Sequence, residues 1–473
     1  MSLTVLSDEQ IRGLLESLSR DEAEGFVAAL RDALHEYSTG TQSLEDGVVH
    51  QPERTVVHSR TTGATTLFMP SFSTYGHAVK VVTVGSPDAD PALPAIKPTG
   101  SVTLFSPRGE ALGFLHAQTL TAFRTALASS CLLVRRACVR TLTVFGSGLQ
   151  AYWHVRLALM LRGDTVRQVY IVNRRFSDNA RGILQQLYGV PAETRRREGW
   201  DQARFSLLTP GYGEYDRLAR EHLRASDVVY CCTPSTADLF DAAALTDRDA
   251  RRKGRLIVAV GSYTPRMREL PRDLLLQAVR PHHPGHHHHH RHAPEGGVVV
   301  VDTLDGVLKE AGEIIEAGLQ PKQLVELGEL VMIHRLAREE EEALAAAQQQ
   351  SASEAGPSAP TSASSSSSVD EALEKLDLAA PAGHGAEPAA AGTRDGQLAR
   401  WLAVGNVVYK SVGLGLMDLV VGFEVVRLAA RRGVGTRVDG FAGSPPPPAA
   451  AVADASAPAA LAPTLAPAPE PAS

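Results

Sequence analysis

The chain has 473 residues, with 47 Lys and Arg against 53 Asp and Glu for a formal net charge of −6, which allows two or three domains and leaves no electrostatic footprint for nucleic acid. Its four cysteines, Cys131, Cys138, Cys231 and Cys232, form neither a CxxC pair nor a zinc spacing and fit free thiols in a reducing compartment. Residues 1–10 lack a basic stretch followed by an apolar run, and no apolar run approaches a membrane span, so the expected compartment is the cytoplasm.

The spacing predicts helices over 8–18 and 21–37. In the second, Asp21 precedes Ala23, Phe26, Leu30, Ala33 and Leu34 at helical intervals, and an acidic residue at a helix start suits the dipole. Strand-like runs follow at 55–58, 65–69, 78–84 and 101–106. A Pro-Arg-Gly-Glu turn at 107–110 then leads into 111–116, so an antiparallel sheet in an α+β arrangement is expected. Residues 120–133 carry a helical period.

The stretch TLTVFGSGLQA at 141–151 is the most informative. It reads as a strand running into a glycine-rich turn and then a helix, the order a dinucleotide's pyrophosphate needs. Gly146 permits the tight turn, Gly148 lets backbone N–H groups approach phosphate, and small Ala151 lets the helix pack on the strand, with Ser147, Leu149 and Gln150 completing the loop. The next buried run, 168–172, ends in Asn173, Arg174 and Arg175 where such folds meet the adenosine ribose. Guanidiniums there attract a 2′-phosphate, which favours NADP(H) over NAD(H); the same arginines also read as a solvated loop. Short apolar runs at 228–232, 256–260 and 298–301 complete five strands of a doubly wound parallel sheet.

Three segments have compositions that do not support a core and read as disordered: a His-rich insertion at 281–297, an Ala/Ser/Pro/Glu-rich insertion at 346–397, and an Ala/Pro/Ser tail at 441–473. The eight histidines of the first have no ordered frame to make them metal ligands, and no metal site is expected. Lys80, inside the apolar strand AVKVVT, reads either as a lysine snorkelling to solvent or as a buried cation, whereas Arg124, in an otherwise small and apolar helix, calls for an anionic partner.

These segments together carry a family resemblance. The matching stretches are Phe68 to Pro70, the Lys80 strand, GSVTLF at 100–105, TAFRT at 121–125, VFGSGLQA at 144–151 with His154, AVGS at 259–262 with MREL at 267–270, 299–302, ELGE at 326–329 and KSVG at 410–413. In this order they resemble the ornithine cyclodeaminase/μ-crystallin family over roughly residues 5–440, without the insertions. The resemblance implies an α/β protein with a central Rossmann-type doubly wound parallel sheet (131–317). It also implies an α+β substrate-binding and dimerisation domain built from both chain ends (1–130, 318–345 and 398–440), and a homodimer with no nucleic-acid or membrane partner.

It further implies that Arg54, Lys80 and Arg124 hold the carboxylate of a small amino-acid or imino-acid substrate, and that Thr233, Val260, Ser262, Lys410 and Ser411 lie toward the nicotinamide. The implied activity is NAD(P)-dependent hydride transfer at the C–N bond of an amino acid, imino acid or cyclic ketimine, with NADP the expected cofactor and NAD the alternative. Two departures bear on the reaction. Ornithine cyclodeaminases place an Asp where this chain has Tyr263 and a Glu where it has Leu67. A phenol is a poor base near neutrality and leucine cannot bind an ammonium, so cyclisation of ornithine is put in doubt while hydride transfer is not. The proton donor reads as Lys80 or Tyr263; conversion of ornithine to proline, or a non-catalytic NADP-binding role as in the crystallins, are the alternatives.

Overall fold

The structure is a computed structural model that describes residues 2–40, 47–86, 90, 92–94, 96–280, 297–331 and 394–441. The three segments expected to be disordered fall almost wholly outside these residues; of the middle one, residues 394–397 begin a helix, Arg394–Val404.

Two sheets organise the chain. The first has seven strands in the order β15-β1-β6-β5-β4-β3-β2. Strands β2 (Thr55–Ser59), β3 (Ala64–Ser73), β4 (Gly76–Gly85), β5 (Thr99–Phe105) and β6 (Ala111–His116) form an antiparallel meander. The expected turn before β6 is present, with Gly109 at φ 85° in the left-handed region that glycine tolerates. β1 (Leu3–Leu6) joins parallel to β6, and β15 (Thr436–Val438) pairs antiparallel with β1, so both ends of the chain build this sheet. α1 (Asp8–Glu16) and α2 (Arg20–Thr39) start at Ser7 and Ser19, each in a capping box that satisfies otherwise orphaned amides. With α3 (Ala117–Leu133) and the last helix, Gly415–Arg432, α1 packs against the sheet, while α2 packs on α3 and the last helix.

The second sheet has eight parallel strands in the order β13-β12-β14-β11-β10-β7-β8-β9. Its members are β7 (Thr141–Phe145), β8 (Gln168–Val172), β9 (Arg204–Leu208), β10 (Val228–Cys231), β11 (Leu256–Ala259), β12 (Val299–Val301), β13 (Leu324–Glu326) and β14 (Val407–Lys410). Side chains alternate between two apolar layers: Leu142, Val144, Val228, Tyr230, Leu256 and Val258 join one cluster, while Phe145, Val229, Cys231, Ile257 and Ala259 join the other. Both faces are covered, as a doubly wound sheet requires.

The sheet is larger than the five strands expected, and it extends past residue 317. β9 is a half-exposed edge strand whose pattern is weak. β13 has three residues, and β14 is a four-residue strand that enters between β11 and β12. Because all strands run the same way, the segments after β7, β10, β11, β12 and β14 gather at one edge.

Candidate functional site

At that edge the strand order switches between β7 and β10, where β8 and β9 lie to one side and β11 to the other. This is the place where open α/β sheets form a ligand crevice. Gly146 sits there with φ 109°, and a Cβ on it would lie 2.9 Å from the Cys232 carbonyl oxygen, so glycine is needed both for the turn and for the close approach of the two strand ends. Gly148 caps helix α4 (Leu149–Arg162) with no side-chain hydrogen bond, and a Cβ on it would meet nothing within 4 Å. The first-turn amides of α4 are therefore open to an anion, and the space above Gly148 suits a pyrophosphate. Beyond β8, the Asn173 side chain donates to the Arg175 carbonyl oxygen, while Arg174 and Arg175 are exposed and form no ion pair among the described residues.

The other strand-end loops are pinned by buried carboxylates. Glu269, fully buried, accepts from Thr233 N at 2.7 Å, Thr233 Oγ1 at 3.0 Å, Gly261 N at 2.7 Å and Ser262 N at 3.3 Å. Burial pushes its carboxyl upward while the Lys410 ammonium and the amides oppose this. The Lys410 ammonium donates to Ser262 O and Oγ, both at 2.5 Å, and pairs with Glu313 at 3.1 Å. Asp302 accepts from Ser411 Oγ, Val412 N and Gly413 N, the last at 2.6 Å, and fixes the loop after β14. Lys410 is thus wholly buried and Ser411 nearly so. They position the crevice wall from behind. His154 packs α4 onto α3 between Ser129 Oγ and the Gln150 carbonyl, and burial lowers its imidazole pKa to about 4.

A cleft of about 240 Å³ opens beside these loops, lined among others by Arg54, Met69, Pro70, Thr303, Glu310 and Gly413. Lys80 is paired across β3 and β4 with Met69, and its ammonium donates to both oxygens of Asp418, at 3.1 and 3.2 Å. Arg124 Nε reaches the same carboxylate at 3.3 Å, and the guanidinium lies directly behind Gly413, where a Cβ would approach it to 2.9 Å. Asp418 stands in the first turn of the last helix, where the dipole favours a carboxylate.

All three side chains are buried. Two cations share one carboxylate, so this cluster carries one positive charge unmatched by any acidic group among the described residues. Burial, with the nearby guanidiniums of Arg124 and Arg54 adding to it and Asp418 opposing, lowers the Lys80 ammonium to about 8. Arg54 is close enough to act on Lys80 in this way, yet its own guanidinium pairs with Glu310 at 2.5 Å.

The structure therefore brings Lys80 and Arg124 together and sets Arg54 at the cleft mouth, each against a protein carboxylate. Lys80, Arg124 and Asp418 lie behind the cleft lining, next to Met69 and Gly413, while Tyr263 is 42% exposed and makes no hydrogen bond among the described residues. Leu67 lies two residues from Met69 along β3, on the face that carries Lys80, so the position that would offer a second carboxylate there is apolar. Asp418, Glu310, Glu269, Glu313 and Asp302 were not singled out from the sequence. A lone Asp in the apolar run LGLMDLVV, and Asp302 directly after the valines of 298–301, were the available signals.

Comparison with known proteins agrees with this fold. The ornithine cyclodeaminase/mu-crystallin family model matches residues 17–196. An uncharacterised protein of Saccharomyces cerevisiae is 24% identical over 357 residues, covering 70% of this chain and 86% of that one. The structure of Thermococcus litoralis Δ1-pyrroline-2-carboxylate reductase in complex with NADH and L-proline superposes with a TM-score of 0.55 at 19% identity, over 92% of this chain and all of the other. The iminosuccinate reductase of Paracoccus denitrificans in complex with NAD+ gives 0.57 at 17% identity, over 93% of this chain and 100% of the other. The chain is thus similar to the ornithine cyclodeaminase/mu-crystallin family over residues 17–196, and it shares the fold of these solved structures along nearly its whole length.

Proposed function

We propose that the protein is an NAD(P)-dependent oxidoreductase that acts on the C–N bond of a small amino acid, imino acid or cyclic ketimine. The observation that carries this reading is the buried Lys80–Asp418–Arg124 cluster with its surplus positive charge, set beside a cleft at the edge where Gly146 and Gly148 leave room for a dinucleotide. A site that keeps one positive charge unmatched in a dry interior favours an anion of single charge, and a substrate carboxylate is such an anion. The names of the two similar reductases, one in complex with NADH and L-proline and the other with NAD+, support the same class.

In this reading the pyrophosphate rests on the amides of Gly146, Ser147, Gly148, Leu149 and Gln150, and Asn173, Arg174 and Arg175 face the ribose. The unpaired guanidiniums there favour NADP(H) over NAD(H). A bound nicotinamide supplies or accepts the hydride. The chain supplies the rest: Thr233 and Val260 wall the crevice, buried Ser262, Lys410 and Ser411 hold that wall from behind, Arg54 and Arg124 orient the carboxylate, and the Lys80 ammonium, poised near neutrality, delivers a proton to the nitrogen of the C=N bond as it becomes an amine. With Leu67 and exposed Tyr263 at two positions that would serve a substrate amine, nothing there favours cyclisation of ornithine.

A second copy belongs on the β2–β3 side of the first sheet. Val56, Val57, Phe68 and Phe72 are 43%, 51%, 39% and 39% exposed there, and β2 is an unpaired edge. The test is to incubate the purified chain with NADPH or NADH and a panel of cyclic imine carboxylates, or 2-oxo acids with amines, while following cofactor oxidation. Turnover supports the reading. Cofactor binding without consumption across the panel would make the protein a binder, and ammonia released from ornithine without net cofactor change would make it a cyclodeaminase.

A further inference from the structure

Two ion pairs, formed by consecutive residues on each side, cross the wall of the cleft. Lys309 Nζ donates to Glu53 Oε1 at 2.6 Å, and Arg54 Nη2 donates to Glu310 Oε2 at 2.5 Å. Glu53 and Arg54 precede β2, whereas Lys309 and Glu310 end the helix Leu304–Glu310. The two pairs differ in setting. All four residues line the cleft, but Glu53 is 80% exposed and Lys309 54%, so solvent screens the outer pair, whereas Arg54 and Glu310 are each 25% exposed.

Glu310 is poorly placed for a carboxylate. It stands at a helix C-terminus, where the dipole opposes negative charge, and burial pushes its carboxyl upward against the pull of Arg54. Its partner lies close enough to Lys80 to depress that ammonium, so the same guanidinium faces two sites at once. A ligand carboxylate lodged between Arg54 and the Lys80–Arg124 cluster would meet the surplus positive charge that Glu310 does not reach.

Resting on the function proposed above, we infer that Glu310 is a specificity-determining residue: it holds Arg54 as a resident carboxylate, and a ligand gains the cleft only if it brings a carboxylate that takes Arg54 over. Amines and neutral imines lacking that group leave the pair intact and find Arg54 already occupied. The cleft then selects by exchange of one carboxylate for another, with no carboxylate of the protein offered to the ligand's nitrogen.

The experiment uses the full chain with NADP+ present and titrates L-proline, a 2-oxo acid and pyrrolidine by calorimetry, comparing wild type with Glu310→Gln and Glu53→Gln. Glutamine keeps the shape and removes the charge. The expected result is roughly tenfold tighter binding of the carboxylate ligands to E310Q, from release of a charged hydrogen bond that wild type must break. Pyrrolidine should bind neither protein, and E53Q should stay within about twofold of wild type. Weaker carboxylate binding in E310Q would assign Glu310 to the ligand's amine and overturn the inference, and unchanged binding would overturn it while leaving the proposed function intact. Unaltered NADP+ affinity in E310Q shows that the variant is folded. If neither carboxylates nor the dinucleotide bind wild type or variant, the functional reading fails and takes the inference with it.

Discussion

Replacing Asp418 by Asn removes the one carboxylate shared by two buried cations and keeps the side chain's shape. Lys80 Nζ lies 3.1 Å and Arg124 Nε 3.3 Å from Asp418 Oδ1, with side-chain exposures of 3%, 8% and 1%, so water cannot take over the lost charge. Breaking a buried pair on one side costs about 3–5 kcal/mol. Part of that cost is relieved if Lys80 sheds its proton, since its ammonium already loses it at about 8 in the intact cluster and must fall further without Asp418.

The sign follows from linkage. A lysine whose folded value is depressed binds fewer protons in the native state than in the unfolded chain between that value and its ordinary one, so stability rises with pH through that window. The window of the variant extends lower than that of wild type. Urea unfolding of both proteins from about pH 7 to about pH 9 should therefore show the variant's deficit largest at the lower pH and shrinking as pH rises. Reductive turnover should fall by at least about 100-fold, because the proton donor is neutral when it is needed. A deficit under about 1 kcal/mol near neutrality, or one that grows with pH, would refute the description of this cluster.

Three further predictions concern the crevice and its walls. Gly148→Ala, with φ −84° and open space at its Cβ, should leave thermal stability almost unchanged and weaken dinucleotide binding at least about tenfold, whereas Gly146→Ala should also destabilise the fold by about 1–3 kcal/mol; equal effects in both assays for the two variants would contradict the assignment. Arg174→Ala with Arg175→Ala should raise the Kd for NADPH by about 10- to 100-fold and leave that for NADH within about twofold, since a 2′-phosphate is the group lost; parallel weakening of both would remove the preference for NADP(H). Glu269→Gln replaces a buried acceptor of four hydrogen bonds by a group that must place an NH2 among donors, and should cost about 1–3 kcal/mol in denaturant unfolding while raising the KM for cofactor; an unchanged unfolding midpoint would contradict its anchoring role.

Much of the fold could be read from the sequence because its signals are local. The helical spacing of Ala23, Phe26, Leu30, Ala33 and Leu34 lies within one segment, the turn around Gly109 joins adjacent strands, and the strand, glycine turn and helix at 141–151 form one continuous unit. What escaped was set by distant pairing. Val407–Lys410 lies in an apolar stretch and is a strand because it pairs with Leu256–Ala259 on one side and Val299–Val301 on the other. Leu3–Leu6 is a strand because it lies beside β6, with β15 on its other side from the far end of the chain.

The cations of the site were visible as charges in apolar runs, but their counter-ions were not. Asp418 is 338 residues from Lys80, and Glu310 is 256 from Arg54. Sequence spacing cannot show that two positive groups share one carboxylate. Tyr263 attracted notice because of what it replaces, yet its exposure follows from a loop whose backbone, not its side chain, is held by Glu269.

The central claim is that the positive charge left over by Lys80, Arg124 and Asp418 selects a substrate carboxylate beside the dinucleotide crevice. It is tested most directly by comparing NADPH oxidation on a cyclic imine that bears a 2-carboxylate with oxidation on the same ring without it. The account predicts turnover of the first and, for the second, a kcat/KM lower by at least about 1000-fold, the loss of two charged hydrogen bonds. Equal turnover of the two rings would contradict it.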